Sequence, residues 1–181
     1  MEGSLIPKHG GYQNLKSFQN TTYVYDLTVE FCNKYIDRFS RTKDQMVQAA
    51  RSGRQNIAEG CMASATSKKT EIKLIGVARA SLEELLLDYQ DFLRQKGFSI
   101  WSKDNRRVKA IRLLAYRLDR SYKTSENCLH NPEVAANTII CLIHQANYLL
   151  DKQLMSLGKA FLDEGGFTER LYKARKNKQG F

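Results

Sequence analysis

Apolar residues recur at three- and four-residue steps along most of this chain, and no stretch alternates with the period of two that marks a strand. Met1 to Asn20 hold Pro7 and Gly10-Gly11 and show no period, so they read as a loose leader. Thr21 or Thr22 is placed to cap a first helix whose apolar face is Val24, Leu27, Phe31, Tyr35 and Phe39. Ser40 or Thr42 caps a second, with the stripe Met46, Ala50, Gly53, Ile57 and Gly60. Small residues at such positions let two backbones approach closely, which puts this helix at the centre of a bundle. Gly53 in mid-helix costs about 1 kcal/mol of propensity relative to Ala, so a packing reason is expected for it. Gly60 and the polar run Ala63 to Lys69 are expected to end the helix.

A third helix is predicted from about Ser67 to Lys96, near 45 Å at roughly 1.5 Å per residue, with the stripe Ile75, Ala78, Leu82, Leu85, Tyr89 and Phe92. Gly97 followed by Phe98 has the form of a C′ glycine with its hydrophobic contact beyond, and Trp101 reads as a packing anchor. An additional basic helix follows, from Ser102 to about Tyr122, with Val108, Ile111, Ala115, Leu118 and Tyr122 on one face. Asn131-Pro132-Glu133 is a strong start signal: an N-cap, a proline at N1 and an early acid. The last long helix carries Ala135, Ile139, Leu142, Ala146, Leu149 and Gln153 on its seam and ends near Gly165-Gly166. The basic stretch after it is expected to fray as a tail. The pattern predicts an all-α chain: an up-and-down antiparallel four-helix bundle over residues 21–166, with one additional basic helix.

Composition narrows this picture. The 181 residues suit one domain with a proper core. Lys and Arg outnumber Asp and Glu by 29 to 19, a net charge of +10, which attracts polyanions without specifying a fold. The first residues lack a basic region followed by an apolar one, so no secretory signal is expected. Cys32, Cys61, Cys128 and Cys141 have no CxxC spacing and read as reduced thiols of a cytoplasmic protein.

Sites for catalysis are hard to find. There is no phosphate loop, and His9, His130 and His144 are too far apart for a paired-histidine metal site. His144 falls beside the apolar seam and reads as a satisfied core histidine. No enzyme, metal or cofactor is expected. Asn56 and Glu59, one turn apart on the second helix, face the possibility of meeting Arg79, Ser81 and Glu84 on the third. They make either a network that sets helix register or a ligand site. Positive charge concentrates in Lys103, Arg106, Arg107, Lys109, Arg112, Arg117, Arg120 and Lys123, joined by Arg51, Arg54, Lys68, Lys69 and Lys73. Such a surface fits phosphate contacts with RNA or DNA. Docking on a protein partner, and association with an anionic membrane surface, are the alternatives.

The run Gln45, Ala49-Ala50, Ser52 and Asn56-Ile57-Ala58-Glu59-Gly60, followed by Ala78-Arg79-Ala80-Ser81-Leu82-Glu83-Glu84-Leu85, resembles one known family. This is the four-helix-bundle family of 23S rRNA-intervening-sequence proteins, which includes the accessory variability determinant of diversity-generating retroelements. The likeness covers roughly residues 20 to 100, and the final helix from Asn131 by position. It implies an up-and-down bundle that assembles into ring-like homopentamers with basic surfaces; retroelement members bind nucleic acid and a reverse transcriptase. Val47 and Gln48 stand where relatives often carry arginines, and the connection after Gly60 is slightly longer. The additional basic helix is similar to the extended "suffix" variety of the family.

Overall fold

The computed structural model describes Ile6, residues 9–114 and residues 127–179. They form α1 (Lys16–Tyr35), α2 (Arg41–Ala63), α3 (Lys68–Gln95), α4 (Arg106–Leu114), α5 (Pro132–Glu164) and α6 (Phe167–Gln179), with 3-10 turns at Tyr12–Asn14 and Asn127–His130. Among the described residues there is no strand, and no helix is long and apolar enough to cross a membrane.

Start and stop signals explain most boundaries. The Ser40 hydroxyl accepts from the Thr42 N–H, Ser67 from Thr70 and the Asn131 side chain from Val134, so each satisfies an orphan donor of a first turn. At the end of α3, Gly97 takes φ 69°, its N–H reaches Arg94 O, and the Phe98 N–H reaches Leu93 O at 2.9 Å. That is a Schellman motif, which turns the chain sharply at a position only glycine fills without strain.

Three boundaries differ from the sequence reading. The first helix begins at Lys16, ahead of both threonines. Thr21 and Thr22 lie inside it, and their hydroxyls donate to the carbonyls of Ser17 and Phe18 instead of capping. This turn is buried through polar groups, with Ser17 Oγ donating to Gln153 at 2.9 Å, so no apolar period marks it. At its other end α1 stops at Tyr35, which leaves Phe39 81% exposed rather than on the core face. The second helix runs past Gly60 to Ala63. Gly60 is a packing residue, not a terminator: a Cβ there would lie 3.3 Å from both Glu71 O and Leu74 Cβ.

The four long helices form a helical bundle in which α2 packs on α3, α3 on α5, α5 on α1 and α1 on α2. The stripes predicted for α2 and α3 are buried at every position named. Phe31 sets an aromatic cluster against Tyr35, Tyr89 and Phe92, with ring centroids 4.9–5.2 Å apart. The Tyr89 hydroxyl donates to Thr28 at 3.0 Å, and Thr28 donates to Val24 O, so the buried polar tips have partners. The seam of α5 is broader than a single stripe. Ala135 through Ile143 are buried continuously because α1, α3, α4 and the 127–130 turn all pack around this half. Further along, Leu150 is fully buried while Leu149 and Gln153 are half-buried.

Gly53 marks a close approach of α2 to α3. A Cβ at this position would meet Leu82 Cδ2 at 2.8 Å and Cγ at 3.0 Å, and Leu82 is itself fully buried. Overpacking costs about 1–3 kcal/mol, against the roughly 1 kcal/mol that alanine gains in helix propensity. Gly53→Ala is therefore expected to lower the unfolding free energy by about 1 kcal/mol net in urea titrations. A more stable variant would show that α2 and α3 have room to spare here.

Candidate nucleic-acid interface

The chain between α3 and α4 is held by one buried side chain. Asn137 on α5, 2% exposed, accepts the Trp101 N–H at 2.8 Å and donates to Ser99 O and Glu133 O, each at 2.9 Å. All its amide capacity toward this strand of backbone is used, which fixes where α4 starts. Val108 then buries its side chain against α5, and the Asn105 side chain accepts from the Arg107 N–H at the start of the helix. Trp101 is half-buried, with the Arg107 guanidinium 5.2 Å from its ring centroid.

This anchoring leaves the charged face of the segment outward. Lys103, Arg106, Arg107, Lys109 and Arg112 are all exposed. Lys109 lies 3.8 Å from Asp104, a contact between highly exposed groups that offsets little charge. Arg112 reaches toward Cys141 and His144 on α5. His144 is exposed beside α4 rather than in the core, because the buried arc at this level passes through Ile143, Ala146 and Asn147. Partial burial of its ring lowers its pKa first; Glu83 opposes, and Arg112 and Lys103 add to the lowering. Arg117, Arg120 and Lys123 lie outside the described residues, as do Ala115, Leu118 and Tyr122.

The other basic candidates do not join this surface. Arg54 lies over the Tyr25 ring at 4.3 Å and lowers the pKa of Asp26, which burial raises, so it serves the α1–α2 contact. Arg51 is exposed on α2. Lys68, Lys69 and Lys73 occupy the first turns of α3, where Lys68 meets the buried Glu71 carboxylate at 3.2 Å. The last helix, α6, touches the loop just before them, where the Arg170 guanidinium donates to Ala65 O at 3.3 Å. The stretch expected to fray is this helix, with Lys173, Arg175, Lys176 and Lys178 exposed on it. Its signal was present in the spacing of Phe167, Leu171 and Ala174, and in Glu169, whose carboxylate accepts the Gly166 N–H at 2.8 Å.

The polar motif of the α2–α3 hairpin divides. Ser52 and Ser81 share a hydrogen bond of 2.9 Å across the two helices, and Asn56 donates to the Ser52 carbonyl and hydroxyl. Arg79 turns to α5 instead, where it pairs with Asp151, while Asn147 donates to Glu83 at 3.2 Å. Glu59 and Glu84 are exposed. Sequence spacing alone gives no direct indication of Asp151 as Arg79's partner, since the two are far apart in the chain. An open groove of about 340 Å³ lies along the hairpin, lined by Asp44, Gln45, Gln48, Ala49, Ser52, Ser81 and Glu84. A turn beyond Glu84, the Asp88 carboxyl is pushed above its ordinary range, by burial first and then by Glu84 and Asp91. Burial raises the thiol of Cys32 to about 12 and those of Cys61 and Cys141 above their ordinary value, so none is a ready nucleophile at neutral pH.

The chain matches no protein-family model, no curated protein and no solved structure.

Two measurements test this geometry. Asn137→Ala strands the Trp101 N–H and the Ser99 carbonyl, a cost of about 1–3 kcal/mol. Because Trp101 is the single tryptophan, its emission should shift to the red in the folded variant; unchanged emission would mean that Asn137 does not hold the segment. The second concerns Asp88. A folded pKa above the unfolded one stabilises at pH below the ordinary carboxyl range, and that contribution is lost as pH rises through the folded value. Asp88→Asn should therefore raise the urea midpoint at pH 7 and lose the gain by about pH 3. An equal effect at both pH values would contradict the buried-carboxyl account.

Proposed function

We propose that this protein is a non-enzymatic accessory factor that binds RNA or DNA through phosphate contacts made by the α4 segment. The observation that carries the proposal is the set of five exposed cations, Lys103, Arg106, Arg107, Lys109 and Arg112, on a segment tied to α5 by Asn137. Asp104 is the one acid between residues 101 and 114. Cations presented on a rigid element displace condensed counterions from a phosphate backbone, which gives sequence-tolerant, salt-sensitive binding.

The scaffold in this reading is an up-and-down antiparallel four-helix bundle of α1, α2, α3 and α5. Support comes from contacts whose numbers rise on one helix as they fall on the other: Ser52 with Ser81 and Gly60 with Leu74, Arg79 with Asp151 and Glu83 with Asn147, Ser17 with Gln153 and Asn20 with Leu142. The chain is further proposed to belong with the intervening-sequence proteins on the strength of its hairpin motif, and to act in the cytoplasm as a homo-oligomer, pentameric as in that family. A reverse transcriptase is the protein partner this membership would bring. The second reading is a structural module that assembles with itself and ignores nucleic acid. It is favoured by Val77 and Leu87, 47% and 57% exposed on the outer face of α3.

Titration of labelled RNA and DNA against the full chain separates the two. Five phosphate contacts give a log–log salt slope of about −4.5 on duplex DNA, and Arg106→Ala or Arg112→Ala should each reduce it by about 1 while weakening all sequences alike. Absence of binding at low salt, with an oligomer seen by light scattering, would leave the structural module standing.

A further inference from the structure

Asn137, Cys141, His144 and Tyr148 follow one another along α5 at three- and four-residue steps, so they share one line on the helix. The α4 segment lies over the first part of this line. There Asn137 accepts the Trp101 N–H, and the Cys141 thiol donates to Val108 O at 3.9 Å. The second part is open: His144 is exposed, and Tyr148 is 56% exposed. From the level of Asn137 to that of Tyr148 is about 16 Å at 1.5 Å per residue.

The rings on this line stand beside cations. The Arg107 guanidinium sits over Trp101, 5.2 Å from the ring centroid, and the Lys152 ammonium over Tyr148 at 5.6 Å. Between them Arg112 and Lys103 are close enough to His144 to add to the lowering of its pKa that burial begins. Glu83 is the acid that opposes them, and its carboxylate is already shared by Asn147 at 3.2 Å and Arg79 at 4.0 Å. Asp151, further along α5, is bound by Arg79.

Rings and cations in alternation suit a different ligand from cations alone. A duplex keeps its base faces stacked on each other, so it presents phosphates and groove edges but no faces. An unpaired strand can lay its bases on aromatic rings or on a guanidinium while its phosphates meet the cations between them. The line is long enough for up to about five nucleotides stacked at 3.4 Å each.

We propose that the α4–α5 face is a track for single-stranded nucleic acid, on which bases stack against Arg107 above Trp101 and against Tyr148. This rests on the phosphate-binding reading of α4 and adds the class of ligand, unpaired rather than duplex. Tyr148, which carries no charge, becomes a binding residue of the same surface.

The test titrates the full chain at low salt with an unstructured strand of about 20 nucleotides, longer than the track at 3.4 Å each, and with its duplex. DNA and RNA forms are run in parallel. The single strand should bind about tenfold more tightly than the duplex, and should quench the emission of Trp101, the single tryptophan. Tyr148→Ala should lose about tenfold on the single strand and leave the duplex affinity as it was, whereas Tyr148→Phe keeps the ring and the wild-type preference. Because Tyr148 is exposed, both variants should keep the helical circular-dichroism spectrum, and the wild-type comparison stands independently of either. Equal or tighter binding of the duplex, unchanged Trp101 emission at saturation, or a Tyr148→Ala variant that weakens both forms alike overturns the track while leaving the α4 reading intact. No binding of either form overturns both.

Discussion

The bundle depends on how closely α2 and α3 approach. Gly53 and Gly60 leave no Cβ between the backbones, and Leu82, Leu74 and Ile75 fill the space they vacate. An interior at crystal-like density gives side chains on either side little freedom to move apart. Once the two helices are this near, Ser52 and Ser81 fall within hydrogen-bonding distance, and the outward edge of the pair becomes a polar groove. Ser52 and Ser81 thus share one origin with the two glycines: the helices are too close for larger side chains between them.

The remaining long helices complete the core by different means. Helix α1 meets α5 through hydroxyls and amides at its start and meets α3 through aromatic rings near its end. Helix α5 is enclosed on several sides over its first half, where it also receives the incoming α4 segment through Asn137. A buried amide that satisfies three backbone groups specifies one position for that segment, which an apolar contact would not do. The same residue therefore belongs to both the core and the functional surface.

Charge is distributed with similar economy. Acids and bases pair both between helices, as Arg79 does with Asp151, and within one, as Lys68 does with Glu71 a turn along α3. Such exposed or half-buried pairs add little stability, so their effect is mainly to remove charge from the middle of the surface. The α4 segment keeps its positive charge exposed, with one acid, Asp104, among five cations.

Much of the architecture was legible before any coordinates. Helix period, the Ser67 and Asn131 caps, and the Gly97-Phe98 stop are local signals, and local backbone physics decides them whatever the fold. The stripes of α2 and α3 were equally plain, because burial on one side of a helix leaves a regular trace. Three features had no such trace. The start of α1 is buried through polar groups, so periodicity could not find it. Arg79 meets Asp151 across a large sequence separation, so no spacing rule joins them. The basic residues looked like one population in the chain, and only packing sets Arg54 against the Tyr25 ring of α1 while the α4 cations stay exposed beside α5. Period and capping act within a turn or two of helix; which charges become neighbours depends on how distant helices pack.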